Sequence, residues 1–393
     1  MGPQSDQRID WTDWQTFMAL RQSPQIFARL HECTGSELQI QSRLRREFPD
    51  SLVRAAMTLD ELRRKAVNKF ARGGEMWLTR VGLEQCTSEV VAAHKASRFT
   101  GFVWDYCSGV GSDAAALASA GCDVVTVDSE PAACLRTQWN AEILSPDRRP
   151  GSLCARVEDL TDRSGLLHID PDRRASRATR AVRIEDYVPR LEQLQQWTRE
   201  FAGGAIKLSP AANFGGKFPG AEIELISVHG ECKEATVWFG SLAGEKAWRA
   251  TALPSGESLT GESMEAVVDI TPLKRFLFDP DPAIVRSGLV DLLAERLGLT
   301  RLDAAEEYLT GDTRVESSFV STFEVRDELS NNPKDVRAYF RAANIGQLEI
   351  KCRHIPIDVE RLRKQLTLQG DDAGVLIFAR IGGKARAVAA RRV

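Results

Sequence analysis

No apolar run in these 393 residues approaches the roughly 20 needed to cross a bilayer as a helix, so no membrane span is expected. The first residues, MGPQSDQRIDWTDW, are polar and acidic and lack the basic-then-apolar pattern of a signal peptide, so a cytoplasmic protein is expected. The eight cysteines form no CxxC pair and have no histidine nearby at ligand spacing, which leaves no ground to expect a metal. There is no internal repeat and no low-complexity tract, so solenoid and disordered classes drop out. Nor is there a strong excess of one charge: the net is −3. That small total hides an asymmetry, because Thr322 to Val393 holds 14 Lys/Arg against 9 Asp/Glu, a net of +5, and the first 321 residues carry −8. A basic module attached to an acidic body suggests nucleic acid as a partner or merely a solvated face. Oligomeric state is not legible.

What is present is organised around Gly101 to Asp128, GFVWDYCSGVGSDAAALASAGCDVVTVD. A short apolar strand (Phe102 to Trp104) runs through Asp105 into a glycine turn at Gly109-Val110-Gly111. A helix that Ser112 or Asp113 can cap follows, ends at Gly121, and leads to a second strand closing on Asp128. Glycines admit a ligand close to the backbone, and the helix start offers unpaired N–H groups. The same residues fit a dinucleotide fingerprint, but Asp105 faces the turn and would repel a pyrophosphate. It suits a ligand bearing an ammonium or sulfonium group. Cys107 lies in the turn within reach of ligand, as a small residue that fits there rather than as a nucleophile.

Further along, Pro131 to Asn140 reads as a helix, Ser152 to Val157 as a third strand followed by Glu158 and Asp159, and Leu166 to Asp170 as a fourth. A helix over 184–201 and a fifth strand, Gly204 to Leu208, complete a strand and helix alternation, hence a parallel doubly wound sheet. Ala221 to His229 and Ala235 to Leu242 read as a hairpin. Ahead of this core, residues 1 to about 98 read as helical: Trp11, Trp14, Phe17, Met18 and Leu20 recur at helical spacing, Thr58 to Glu61 reads as a capping box, and Gly82 to Phe99 as one helix. Beyond it, Lys246 to Leu253 and Met264 to Ile270 alternate like strands. Asp279-Pro280-Asp281-Pro282 opens an amphipathic helix ending at Gly298. The last segment reads strand, helix, strand, helix and a hairpin about Gly382-Gly383.

The D-x-x-x-G-x-G arrangement at Asp105 to Gly111, with an acid ending the next strand, resembles the first two motifs of class I S-adenosylmethionine-dependent methyltransferases. The stretches HIDPDRR, FDPDPAIVRSGLVD, FEVRDEL, YFRAANIGQLEIKCRHIPIDVERLRKQL and LIFARIGGKARAVAARR resemble a bacterial group of these enzymes with C-terminal ferredoxin-like and THUMP-like domains. That resemblance implies an α/β fold: a Rossmann-like seven-stranded core over 99–243, after an N-terminal helical region (1–98) and before a ferredoxin-like connecting segment (244–321) and a THUMP-like domain (322–393). It implies S-adenosyl-L-methionine as cofactor. Asp105 and Gly109 to Gly111 would lie along its methionine portion, with Cys107 in the turn in reach of it, and Asp128 would accept its ribose hydroxyls. Asp159, preferred to Glu158 by alternation, would accept the adenine amino group; Glu84, Gln85 or Thr87 would line the pocket. Asp170-Pro171-Asp172-Arg173 resembles the catalytic motif of amino-methyltransferases, with Asp170 and the Pro171 carbonyl accepting from the target amine. Asp172 replaces the expected second proline and Arg173 the expected aromatic, two departures from the motif of adenine N6 enzymes. Arg173, Arg174, Arg177, Arg180 and Arg183 would neutralise phosphates. With Arg353, Arg363 and other basics of the last domain they are the expected RNA contacts. The function so implied is methyl transfer to structured RNA (rRNA or tRNA). A protein or small-molecule acceptor, or a non-catalytic RNA-binding protein on the same scaffold, are the alternatives.

Overall fold

The computed structural model describes residues 14–173, 183–366 and 368–393, which fall into two compact units. The first comprises residues up to Ala221 together with Val237–Ala243; the second holds Glu222–Thr236 and Gly244–Val393.

The first unit begins with four helices: α1 (Trp14–Arg21), α2 (Gln25–Glu32), α3 (Glu37–Leu44) and α4 (Asp50–Ala66). Thr58 to Glu61 lies inside α4 and opens no helix. Leu52, Val53, Ala56, Leu59, Leu62 and Ala66 keep one apolar face running through the apparent capping box. The helix expected over 82–99 is two, α5 (Arg80–Gln85) and α6 (Glu89–Ala96), because Cys86 is extended and Ser88 starts a new helix. Then come β1 (Phe102–Tyr106), α7 (Ser112–Ser119), β2 (Asp123–Asp128), α8 (Pro131–Leu144), β3 (Gly151–Cys154), β4 (Leu166–Ile169), α9 (Leu191–Glu200) and β5 (Gly203–Leu208). The sheet order is β3-β2-β1-β4-β5, all parallel, so the predicted Rossmann-like α/β core is present. The third strand stops three residues early, at Cys154, and a 3-10 turn (Val157–Asp159) replaces its end. Order reverses between β1 and β4, the switch point at which open α/β sheets bind ligands beyond the strands' carboxyl ends.

Hydrophobic clusters among the described residues hold this unit. Phe17, Leu20, Val53, Leu59, Trp77 and Trp139 pack the N-terminal helices onto α8, while Phe99, Val103, Leu117, Ala205 and Trp238 fill the sheet and its α6/α7 side.

In the second unit β6 (Glu222–Val228) is joined to β7 (Glu231–Gly240) by His229 and Gly230, both with positive φ, which confirms a hairpin. β7 is divided between the units, Val237–Gly240 belonging to the first and Glu231–Thr236 to the second, and in strand order it lies between β5 and β6. β8 (Trp248–Leu253) runs parallel to β6 and antiparallel to β9 (Glu257–Gly261). The strand expected over 264–270 does not form: Met264 takes a positive φ, and Met264 and Val267 are each 88% exposed. After β10 (Phe276–Pro280), the expected single helix is α10 (Pro282–Ser287) and α11 (Val290–Leu297), broken at Gly288, whose φ is +73. β11 (Thr300–Arg301), β12 (Leu309–Gly311), β13 (Val320–Ser330), α12 (Pro333–Ala342), β14 (Ile345–Cys352), α13 (Val359–Gln365), β15 (Asp372–Ile381) and β16 (Lys384–Arg392) follow. The last six match the expected strand, helix, strand, helix, hairpin order. They join a seven-stranded sheet, β11-β12-β10-β13-β16-β15-β14.

Candidate active site

A cavity of about 1980 Å³ opens at the carboxyl ends of β1, β2 and β4. It exceeds the roughly 300–1,000 Å³ of a single small-molecule pocket, so it has room for two reactants. Asp105, Cys107, Gly109, Asp128, Asp170, Pro171 and Arg173 all line it, as do Glu158 and Gln85. Residues distant in sequence are thus brought together as expected.

The glycine turn is shaped by backbone demands. Gly109 and Gly111 take φ of +57 and +80. Gly111 is not among the lining residues: a Cβ there would lie 2.9 Å from Thr137 Cα and Cγ2, so this glycine lets the turn press against α8. Asn140, fully buried on α8, donates to the carbonyls of Trp77 (2.9 Å) and Val110 (2.8 Å) and accepts from the Trp77 N–H (2.7 Å), tying the turn to the N-terminal region. Asp128 accepts from the N–H groups of Gly109 (3.1 Å) and Glu130 (3.0 Å). Burial, with Asp128, Asp170 and Asp105 nearby, pushes the Cys107 thiol well above its ordinary range, so it is a neutral wall residue without nucleophilic character.

Asp159 does not line the cavity; Glu158 does. Alternation was carried past the end of the strand, where the 3-10 turn re-aims the side chains. Of the helical candidates before β1, only Gln85 lines the cavity. Thr87 is buried and donates to Asp113 Oδ2 at 2.7 Å, and Asp113 pairs with Lys95 at 2.9 Å. Asp113 therefore caps nothing; the residue at the helix start is Gly111. Although burial acts to raise it, the neighbouring Lys95, His168 and Lys207 hold the Asp113 carboxyl below the usual range.

Asp105 is 2% exposed; its Oδ1 accepts from His168 Nδ1 at 2.6 Å, and its Oδ2 has no hydrogen-bond partner among the described residues. Burial raises the Asp105 carboxyl despite His168. Gln85 Nε2 is likewise buried and unpartnered. An acceptor without a donor and a donor without an acceptor in one cavity wall fit the ammonium and carboxylate of an amino-acid moiety, as S-adenosylmethionine carries. At the end of β4, burial raises the Asp170 carboxyl while Lys207 Nζ, 2.6 Å from its Oδ2, opposes the rise. Asp172 exchanges backbone hydrogen bonds with Val188, fixing the segment that carries Arg173.

Lys95, Lys207, Asn140 and His168 were not foreseen. The one local signal was a lysine inside the apolar strand GAIKL, which needs a buried partner.

Arg174, Arg177 and Arg180 lie outside the described residues. Arg353 is not available for phosphate: it donates to Asp279 Oδ1 (3.1 and 2.5 Å) and to the Pro280 carbonyl, with Tyr308 under its guanidinium. It follows the end of β14 directly and meets an acid 74 residues away that sequence distance hid. Arg363 is exposed on α13. Glu306, Glu307 and His354 come together, but Glu306 already accepts from the backbone N–H groups of Arg380 and Glu307, and His354 from or to Glu307 at 2.6 Å.

Residues 320–392 match the family described as THUMP domain-like, and residues 16–66 match a domain of unknown function (DUF8688). The crystal structure of a "putative methyltransferase" from Porphyromonas gingivalis W83 superposes with a TM-score of 0.73 over 98% of both chains at 20% identity, which shows a common fold. The chain is 33% identical over 334 residues to an uncharacterized S-adenosylmethionine-dependent methyltransferase of Mycobacterium tuberculosis (strain ATCC 25618 / H37Rv), covering 82% of this chain and 91% of the relative. With that likeness along most of both chains, and a cavity whose unpaired groups fit the methyl donor, this protein belongs to the S-adenosylmethionine-dependent methyltransferases.

Proposed function

We propose that the protein methylates structured RNA, with Asp170 as the residue that orients or deprotonates the acceptor. The observation that supports transfer is the shared cavity, in which Asp170 and Pro171 face the same space as Asp105, Gly109 and Asp128. The bound cofactor would supply an electrophilic methyl group. Asp105 and Gln85 would hold its amino-acid end, Asp128 its ribose and Glu158 its adenine. Asp170, kept partly proton-accepting by Lys207, would take the acceptor's proton. Arg173, at the cavity wall, would stack on or pair with the acceptor. The THUMP-like match over 320–392 and the net positive charge of the last domain support an RNA partner. Within the proposed division the segments 1–98, 244–321 and 322–393 serve the 99–243 core as cover, connector and RNA-presenting domain.

A protein amine that enters as its cation and gives a proton to Asp170 before transfer is the second reading. Among the described residues the cavity lining carries ten carboxylates against six arginines, an environment that repels a polyanion. Transfer of labelled methyl from S-adenosylmethionine into total RNA of cells lacking the gene decides between them: label released by nuclease supports RNA, and label released only by protease supports the second reading.

A further inference from the structure

Two residues of the cavity wall, Asp105 and Asp113, and two behind it, Lys95 and His168, form a continuous buried chain of ionisable side chains. His168 on β4 and Asp105 on β1 are register partners on adjacent parallel strands, which sets their side chains beside each other. His168 Nδ1 lies 2.6 Å from Asp105 Oδ1. On its other side His168 Nε2 lies 3.3 Å from Lys95 Nζ, and Lys95 lies 2.9 Å from Asp113 Oδ1. Asp113 on α7 also stands 3.8 Å from His168 Nε2. None of the four is more than 8% exposed.

An ammonium group offers only protons, so the nitrogen facing it presents a lone pair. The ring proton therefore sits on Nδ1, where Asp105 Oδ1 is its acceptor. That bond prevents Asp105 from turning and leaves its Oδ2 without a hydrogen-bond partner among the described residues. Buried ionic groups of this kind contribute little net stability compared with an apolar set of equal volume. Their consequence here is orientation.

We propose that His168, held as its Nδ1–H tautomer by Lys95, is the positioning residue that aims Asp105 at the α-ammonium group of the cofactor. This rests on the reading that Asp105 receives that ammonium group.

The test is calorimetric binding of two probes, S-adenosylhomocysteine and 5′-methylthioadenosine, the second of which keeps the nucleoside and lacks the amino acid. The variants are Asp105→Asn, His168→Gln and His168→Asn, each first checked by its melting temperature. Asn places its amide nitrogen near the position of Nδ1 and can still donate to Asp105; Gln places its amide near Nε2, toward Lys95. Removing the partner that orients a metal ligand typically costs ~10–100-fold, and the same order is taken for the partner that orients Asp105. His168→Gln is expected to weaken S-adenosylhomocysteine by about that factor and to leave 5′-methylthioadenosine unchanged, and His168→Asn to restore the wild-type ratio. Equal weakening of both probes by His168→Gln, no weakening of either, or failure of His168→Asn to restore the ratio overturns the positioning role. Asp105→Asn tests the underlying reading separately: if it leaves the ratio of the two affinities unchanged, Asp105 is not the ammonium partner. If Asp105→Asn removes the selectivity and His168→Gln keeps it, the Asp105 reading stands and the role given to His168 falls.

Discussion

Lys207 Nζ donates to Asp170 Oδ2 at 2.6 Å and to the Gln85 carbonyl at 3.0 Å, so one buried lysine on β5 ties the end of β4 to the helix that edges the cavity. Burial and Lys207 act in opposite directions on Asp170, and burial prevails. A general base acts in its deprotonated form, so activity is present above the Asp170 pKa and is lost as pH falls through it. Lys207→Met removes the opposing charge and is expected to move the acid limb of kcat/KM to higher pH; an unmoved limb would show that this pairing does not govern the titration.

Asp170→Ala is expected to abolish transfer while S-adenosylhomocysteine binds with nearly its native affinity, since Asp170 is assigned to the acceptor and not to the cofactor. Turnover by this variant would remove Asp170 from the mechanism.

At the glycine turn two substitutions that look alike in sequence separate in structure. Gly109→Ala meets nothing closer than 3.9 Å and carries only the strain of positive φ, roughly 1–2 kcal/mol. Gly111→Ala adds a clash at 2.9 Å with the backbone and side chain of Thr137, and overpacking of that kind costs a further ~1–3 kcal/mol. Urea unfolding of both variants measures the difference, and equal losses would show that α8 gives way.

Asn140→Ala leaves the Trp77 N–H and carbonyl and the Val110 carbonyl without their partner inside the core. Each buried orphan costs about 1–3 kcal/mol, so the loss in stability is expected to be large, with weaker binding of S-adenosylhomocysteine because the turn loses its tie. Binding left intact in the folded variant would separate the turn from that tie.

In the last domain Arg353→Ala and Arg363→Ala are expected to differ in kind. Arg353 neutralises the mostly buried Asp279, which keeps Lys351 at 2.9 Å, so its loss lowers stability and leaves the salt dependence of RNA binding unchanged. Arg363, exposed, is expected to lower the salt slope by about 1 without unfolding the protein if it meets phosphate. Filter binding across a salt series, beside melting curves, reads both effects.

Local order in the chain was enough to recognise the parallel core, the Asp105 to Asp128 unit and the final domain. Strands, glycine turns and helix ends are set by residues a few positions apart: Gly298 closes α11 and Gly382-Gly383 turns the last hairpin as expected. Where a pattern ran on past its local cause the expectation failed, as at Thr58 inside α4 and at Asp159 after β3. Sequence alone determined which motifs exist and which ligand class the Asp105 turn suits. Only the tertiary structure decided which charges meet: His168 with Asp105 across 63 residues, Lys207 with Asp170 across 37, and Arg353 with Asp279 across 74. The first two depend on the order and register of β1, β4 and β5 and the third on how the end of β14 meets β10, all of which arise from packing the whole sheet and leave no trace in the spacing of the residues themselves.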